Sequence, residues 1–213
     1  MKRILALIVS VLLLCATLAG CGTKGKLLGT WSASVDLAEL MERIIGGQWV
    51  SEDYPVDSFP VTVELTFQKD NTFVLTLSAA SMDAAAEKLM QQLEQQIYHN
   101  VQLQLDVLGE GMQLEDLFDI TGISPELMME EFREHFRSMG FTDTLQQDCT
   151  FRGWYKLSGD TLYLSPAEEI DKKACPNVSF TLEEGALKFT GCEALLLDKS
   201  FAAKLNDLTF TKS

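Results

Sequence analysis

Apolar and polar residues alternate along three stretches of the chain, and each stretch is broken by a turn. Val63, Leu65 and Phe67 alternate with polar neighbours; beyond Lys69-Asp70-Asn71, so do Phe73, Leu75 and Leu77, with Val74 as the exception. Residues 150–157 turn at Ser158-Gly159-Asp160 into 161–165, and 178–183 turn at Glu184-Gly185 into 186–190. Period-2 patterning on both sides of such turns predicts β-hairpins with one buried face. Two further alternating segments, 29–37 and 208–211, bring the expected strands to eight. Eight antiparallel strands in chain order predict a closed up-and-down barrel, which has no exposed edges to invite aggregation. A barrel of about eight strands is also the smallest that holds one small ligand.

Between the third and fourth strands the period changes. Met82, Ala86, Leu89, Leu93, Ile97, Val101, Leu105 and Leu108 recur at three- and four-residue spacing, the stripe of an amphipathic helix, and Gly109 and Gly111 end it. Leu114, Leu117 and Phe118 suggest a short second helix. Ser124-Pro125 reads as N-cap and first position of a third, with Met128, Phe132, Phe136 and Met139 as its stripe. The expected fold is mainly β with an α insertion: a barrel domain over 27–213 carrying a helical insertion at 80–147. If four residues form the second hairpin's turn, Trp154 and Tyr163 point outwards, and the insertion is expected to cover them or the barrel mouth beside them.

The start of the chain has another character. Lys2 and Arg3 precede an apolar run from Ile4 to Leu14 and a small-residue exit, the pattern of a secretory signal peptide over 1–20. The run is shorter than the roughly 20 residues needed to span a bilayer. Leu18-Ala19-Gly20-Cys21 resembles the lipobox of bacterial lipoproteins. That resemblance implies cleavage before Cys21, acylation of Cys21 (palmitate among the chains) and a protein outside the cytoplasm, lipid-anchored to the cell membrane. Two or more acyl chains hold a protein where one holds only marginally. Residues 21–26 would then be a lipidated polar tether.

Gly29-x-Trp31 on the first strand, followed by a long loop, resembles the opening of lipocalin-like domains. The hairpins Leu65-Thr-Phe67-x-Lys-Asp-Asn-Thr-Phe73 and Leu157-Ser-Gly-Asp-Thr-Leu-Tyr-Leu164 are similar to those of the lipocalin-like domains of bacterial lipoproteins. The matching parts are roughly 27–79 and 148–213. The resemblance implies that the Trp plugs one barrel end and that the loop after the first strand lies across the other. A small apolar or amphipathic ligand would be lined by some of Trp31, Phe67, Phe73, Tyr155, Phe180 and Phe189, with Trp49 and Tyr54 of the long loop as its gate. The alternative is a protein–protein module whose helical insertion docks an envelope partner. Six of the eight Met, at 82, 90, 112, 128, 129 and 139, suit either an adaptable binding surface or ordinary helix core.

Charge narrows the classes further. The 213 residues hold 31 Asp and Glu against 17 Lys and Arg, a formal net charge of −14. So acidic a chain is expected to be a poor nucleic-acid binder, because phosphate recognition needs a basic face. Of five Cys, Cys15 leaves with the leader and Cys21 is acylated; Cys149, Cys175 and Cys192 remain. A Cys175–Cys192 disulfide is preferred over Cys149–Cys175, with three thiols as the third arrangement. His99 and His135 lie in the expected helices. Glu131 and His135 share a helical face, but no second ligand cluster accompanies them. No Gly-x-Ser-x-Gly elbow, phosphate-cradling glycine loop or His-Glu-x-x-His occurs, so neither catalysis, a metal nor a cofactor is expected.

Overall fold

In the computed structural model, eight antiparallel strands close into a barrel in chain order: β1 (Gly29–Asp36), β2 (Pro60–Phe67), β3 (Thr72–Leu77), β4 (Phe151–Ser158), β5 (Thr161–Ser165), β6 (Asn177–Glu183), β7 (Ala186–Thr190) and β8 (Phe210–Lys212). The structure describes residues 22–45, 55–108, 116, 118, 120, 124–192 and 199–213. The segment 1–20 expected to be a signal peptide, Cys21, Trp49, Tyr54, Gly109, Gly111, Met112, Leu114 and Leu117 lie outside the described residues.

The three hairpins keep the register that their side-chain alternation demands. Tyr155 pairs with Leu164 and Leu157 with Leu162, which leaves Trp154 and Tyr163 on the other face. Phe180 pairs with Phe189 and Leu182 with Leu187. Glu184 and Gly185 both take positive φ, at 47° and 84°, the conformation of a two-residue turn whose twist matches the flanking strands. In the first hairpin, Gln68 N–H donates to Thr72 O and Asn71 takes φ 68°, while the Asp70 carboxylate accepts from Thr72 N–H.

Two glycines are dictated by local geometry, one by crowding and one by backbone conformation. A Cβ on Gly153 would stand 2.1 Å from the Ser165 carbonyl oxygen, so β4 and β5 approach there as only glycine permits, and Phe73 of β3 is its cross-strand partner. Gly29 has φ +114°, and a Cβ there would lie 3.1 Å from Lys212 Cε. The glycine of the Gly29-x-Trp31 motif is therefore favoured by its backbone conformation, with the Lys212 side chain close beside it. Trp31 itself is buried, and its indole Nε1 donates to Leu27 O at 2.7 Å.

The expected tether over 22–26 is folded. Residues 22–27 are helical, Leu27 is fully buried, and Lys24 Nζ donates to Asn71 Oδ1 in the β2–β3 turn.

The insertion joins β3 to β4 and contains α2 (Ala79–Leu108), α3 (Pro125–Ser138) and α4 (Phe141–Asp148). Ser124 caps α3: its hydroxyl accepts from Leu127 N–H at 3.1 Å, with Pro125 in the first turn. Two helices outside the insertion carry weaker signals. In α1 (Ala38–Ile45), Asp36 accepts from Ala38 N–H, and Leu37, Met41 and Ile45 form the buried stripe. The period-2 pattern of β1 runs into Leu37 and hides where the helix begins. In α5 (Lys199–Asp207), between β7 and β8, Phe201, Ala202 and Leu205 are buried.

The chain divides into two compact units, one of 1–33, 63–76 and 150–213, the other of 34–62 and 77–149. Charge divides with them. In the second unit only Arg43, Lys88, Arg133 and Arg137 are basic, although it carries most of the 31 acidic residues; every other Lys and Arg belongs to the first.

Cys149, Cys175 and Cys192 are all present as thiols, which corrects the expected Cys175–Cys192 disulfide. The reason is register. Counting outward from Ser179↔Thr190 puts Cys192 level with Asn177, short of Cys175, whose N–H is held by Asp171 O. Cys149 and Cys192 are buried and Cys175 is partly exposed. Thiol titration of the native protein should therefore modify Cys175 first and reach the other two only on unfolding. Gly153→Ala should destabilise the fold by about 1–3 kcal/mol or more, measured by urea unfolding, because strand backbone leaves no room for the methyl group.

Candidate functional site

The interior of the first unit is built from alternate residues of the hairpins. Trp31, Phe67, Phe73, Tyr155, Phe180 and Phe189 are each no more than 5% exposed. Six of the residues expected to line a cargo cavity are thus brought into one interior, and most of them meet other aromatics there. Phe67 stands edge-on to Tyr155 at 5.0 Å between ring centroids and lies 6.5 Å from Phe73, which meets Phe151 at 5.3 Å. Phe189 meets Phe210 at 5.6 Å. Such edge-to-face contacts add stabilisation beyond area burial. Trp49 and Tyr54, the expected gate, are outside the described residues.

Tyr155 satisfies its phenol by donating to Gln68 O at 3.2 Å. Burial raises this phenol's pKa above the ordinary value, and the Asp70 carboxylate adds to the effect. Asp70 is shifted the other way, lowered chiefly by hydrogen bonding from the Thr72 hydroxyl.

On the outer face, Trp154 and Lys156 join Asp70, Asn71, Glu168 and Ile170 around a cavity of about 290 Å³. The Lys172 ammonium lies 5.1 Å above the Tyr163 ring. Residues following β5 therefore meet both outward aromatics within the same unit. Pattern reading identified that pair and did not foresee this segment as a neighbour.

The second unit presents a different kind of site. Glu94 accepts from Arg133 Nε at 2.6 Å and from Nη2 at 3.0 Å, a bidentate pair joining α2 to α3. This carboxylate raises the Arg133 pKa. The Tyr98 pKa is raised by burial first, then by Glu126 and Glu94. Glu94 opposite Arg133 and Tyr98 near Glu126 make the two helices antiparallel. Phe136 meets Phe141 at 4.9 Å, Phe132 at 6.0 Å, and Phe141 meets Phe59 at 6.4 Å, so one aromatic row ties α3, α4 and the approach to β2 together.

Between α2, α3 and α4 lies a groove of about 360 Å³. Its floor is Ala86, Met90, Phe136 and Phe141; Asp83, Glu87, Arg137 and Thr142 form its rim. Met90, Phe136 and Phe141 are buried, whereas Asp83, Glu87 and Arg137 are exposed. A groove of this size at the low end of small-ligand pockets takes one or two apolar side chains. Ile44, Leu103, Val107, Ile120, Leu127 and Met139, the exposed large apolar residues among those described, all belong to this unit. Met82, Met90 and Met129 are buried, as helix core. The groove was not legible because its floor combines three helices whose mutual register no local pattern encodes. The Met90–Phe136–Phe141 combination carries a signal only once α2 and α3 are known to run antiparallel.

Among the described residues no three His, Cys, Asp or Glu side chains converge on a metal-sized site. No described helix is long and apolar enough to cross a membrane. Comparison with family models, curated proteins and solved structures returns no match for this chain.

Because burial keeps Tyr155 and Tyr98 neutral in the folded state, their folded pKa values lie above the unfolded reference of 10.0. Their contribution to stability is complete below about pH 10 and is lost as pH rises past it. Spectrophotometric titration should show a late-ionising phenol that Tyr155→Phe removes. That substitution should cost about 1 kcal/mol at neutral pH for the lost hydrogen bond.

Proposed function

We propose that this protein is a lipid-anchored, non-catalytic lipoprotein of the cell envelope, in which a lipocalin-like barrel is the scaffold and the helical insertion is the docking element. One observation carries the docking role: the concave apolar surface with a charged rim lies between α2, α3 and α4, while the barrel aromatics pack against one another. The barrel interior as a cargo site is the weaker alternative for the same reason.

The chemistry of the groove suggests its occupant. Asp83 and Glu87 stand one helical turn apart on α2, and only Arg137 opposes them on the rim. They belong to a unit that has four basic residues in all. A partner segment that inserts an apolar side chain and flanks it with Lys or Arg complements both features. Ala86 is the small residue that keeps the groove open.

The test uses two synthetic amphipathic peptides of equal length, one of Leu and Lys and one of Leu and Glu, titrated against the full chain. The Leu/Lys peptide should bind in a salt-dependent way and the Leu/Glu peptide should not. Ala86→Trp should abolish binding while leaving the melting temperature within a few degrees. Equal binding of both peptides, or no effect of Ala86→Trp, would remove the groove from consideration. Native mass spectrometry of the protein after exposure to lipid extract tests the alternative: a retained apolar ligand, lost on Phe73→Ala, would return the function to the barrel.

A further inference from the structure

The first unit gathers lysines where the chain enters it. Lys24 and Lys26 lie on the helical segment 22–27. Lys24 Nζ donates to Asn71 Oδ1, which brings it to the turn that also holds Lys69. Lys212 Nζ donates to Lys26 O at 3.2 Å and lies 5.4 Å from the Trp31 ring centroid. Four lysines from three separate segments are thus linked through the Asn71 turn and the Lys26 carbonyl, on a chain of net charge −14. Asp70, which accepts from Thr72, and Glu168, which lines the same cavity as Asp70 and Asn71, are carboxylates beside this turn.

The place is also where the expected anchor ends. Residue 22 follows Cys21 directly, and a helix over 22–27 extends about 9 Å at 1.5 Å per residue. Leu27 at its far end is fully buried, and Trp31 is bonded to it. Lys24 and Lys26 follow Cys21 by three and five residues, so the chain itself keeps them within a range comparable to the Debye length at physiological salt, about 8 Å. A flexible tether would let the body drift beyond that range; a folded one holds it within.

We infer that Lys24, Lys26, Lys69 and Lys212 form a docking surface for the headgroups of anionic phospholipids, which fixes this end of the barrel against the membrane. The inference rests on the lipid-anchored reading proposed above. It resolves a conflict within the sequence: an anionic surface repels a strongly acidic chain, whereas a local basic patch next to the anchor is attracted to it. Lys24 and Lys212 are already oriented by Asn71, Lys26 O and the Trp31 ring, so little side-chain freedom is lost on contact, and each ammonium retains donors for phosphate oxygens. Lys26 and Lys69 are exposed.

The experiment expresses the full chain from its own leader, purifies the processed product in detergent and measures its mass for acylation at Cys21. The product is reconstituted on vesicles of phosphatidylcholine, or of equimolar phosphatidylcholine and phosphatidylglycerol, and its amines are labelled briefly with a water-soluble acylating reagent. At low salt, labelling of Lys24, Lys26, Lys69 and Lys212 should fall severalfold on the anionic vesicles relative to the neutral ones, while Lys188 and Lys199 should label alike on both. High salt should erase the difference. The double variant Lys26→Glu with Lys69→Glu, both changes at exposed positions, should restore labelling of Lys24 and Lys212 to the neutral-vesicle level. An acylated product that floats with both vesicles and labels equally at the four lysines overturns the docking surface alone. A product without acyl groups that floats with neither overturns the anchored reading and this inference with it.

Discussion

Closure of the barrel rests on the three residues of β8, Phe210–Lys212, which pair with β1 on one side and β7 on the other. On the β1 side the ladder is Trp31↔Lys212 and Ser32↔Thr211, extended by the Ser213 N–H to Thr30 O and by a contact between the Ser32 and Ser213 hydroxyls. So short a strand needs side-chain support, and Lys212 supplies it. Its stem rests over Gly29, and its ammonium is shared between the Trp31 face and the Lys26 carbonyl. Phe210 anchors the other edge against Phe189. Without β8, β1 and β7 would present open edges, and an open edge is a template for association with other chains.

That closure organises the first unit around an aromatic interior. Its aromatics hold one another, and Tyr155 finds a carbonyl for its hydroxyl, so no buried phenol is left without a partner. The second unit has the complementary character. Its surface is acidic, its large exposed apolar residues are several, and the concavity in it is shaped by a small residue, Ala86, among larger ones. Net charge alone conceals this division, because a total of −14 does not show how the charges are shared between the units.

The barrel was legible because period-2 alternation is local. Val63, Leu65 and Phe67 reveal their strand without knowledge of the rest, and Glu184-Gly185 reveals its turn. The Ser124-Pro125 signal for α3 is local in the same way. The helices α1 and α5 were harder: one begins where strand alternation has not yet ended, and the other shows a stripe of only Phe201, Ala202 and Leu205. The cysteines failed for a geometric reason, since closeness along a hairpin does not place two side chains opposite each other. The six interior aromatics were found by facing alone, yet whether such side chains surround a space or fill it depends on volumes and rotamers that alternation does not encode. The lysine gathering at the chain entry depends on strand closure bringing residues 24, 69 and 212 together, and no window of sequence contains all three.

The long insertion leaves and rejoins the barrel at nearly the same point. Thr76 and Thr150, 74 residues apart, bring their hydroxyls within 2.9 Å, and Leu75 pairs with Phe151 one step further in. Closing a disordered loop of that length costs about 4 kcal/mol of chain entropy. Helices that have already ordered and set their ends side by side remove most of that cost before β3 meets β4. An insertion whose helices order first would therefore bring the two halves of the barrel together at a lower entropic cost.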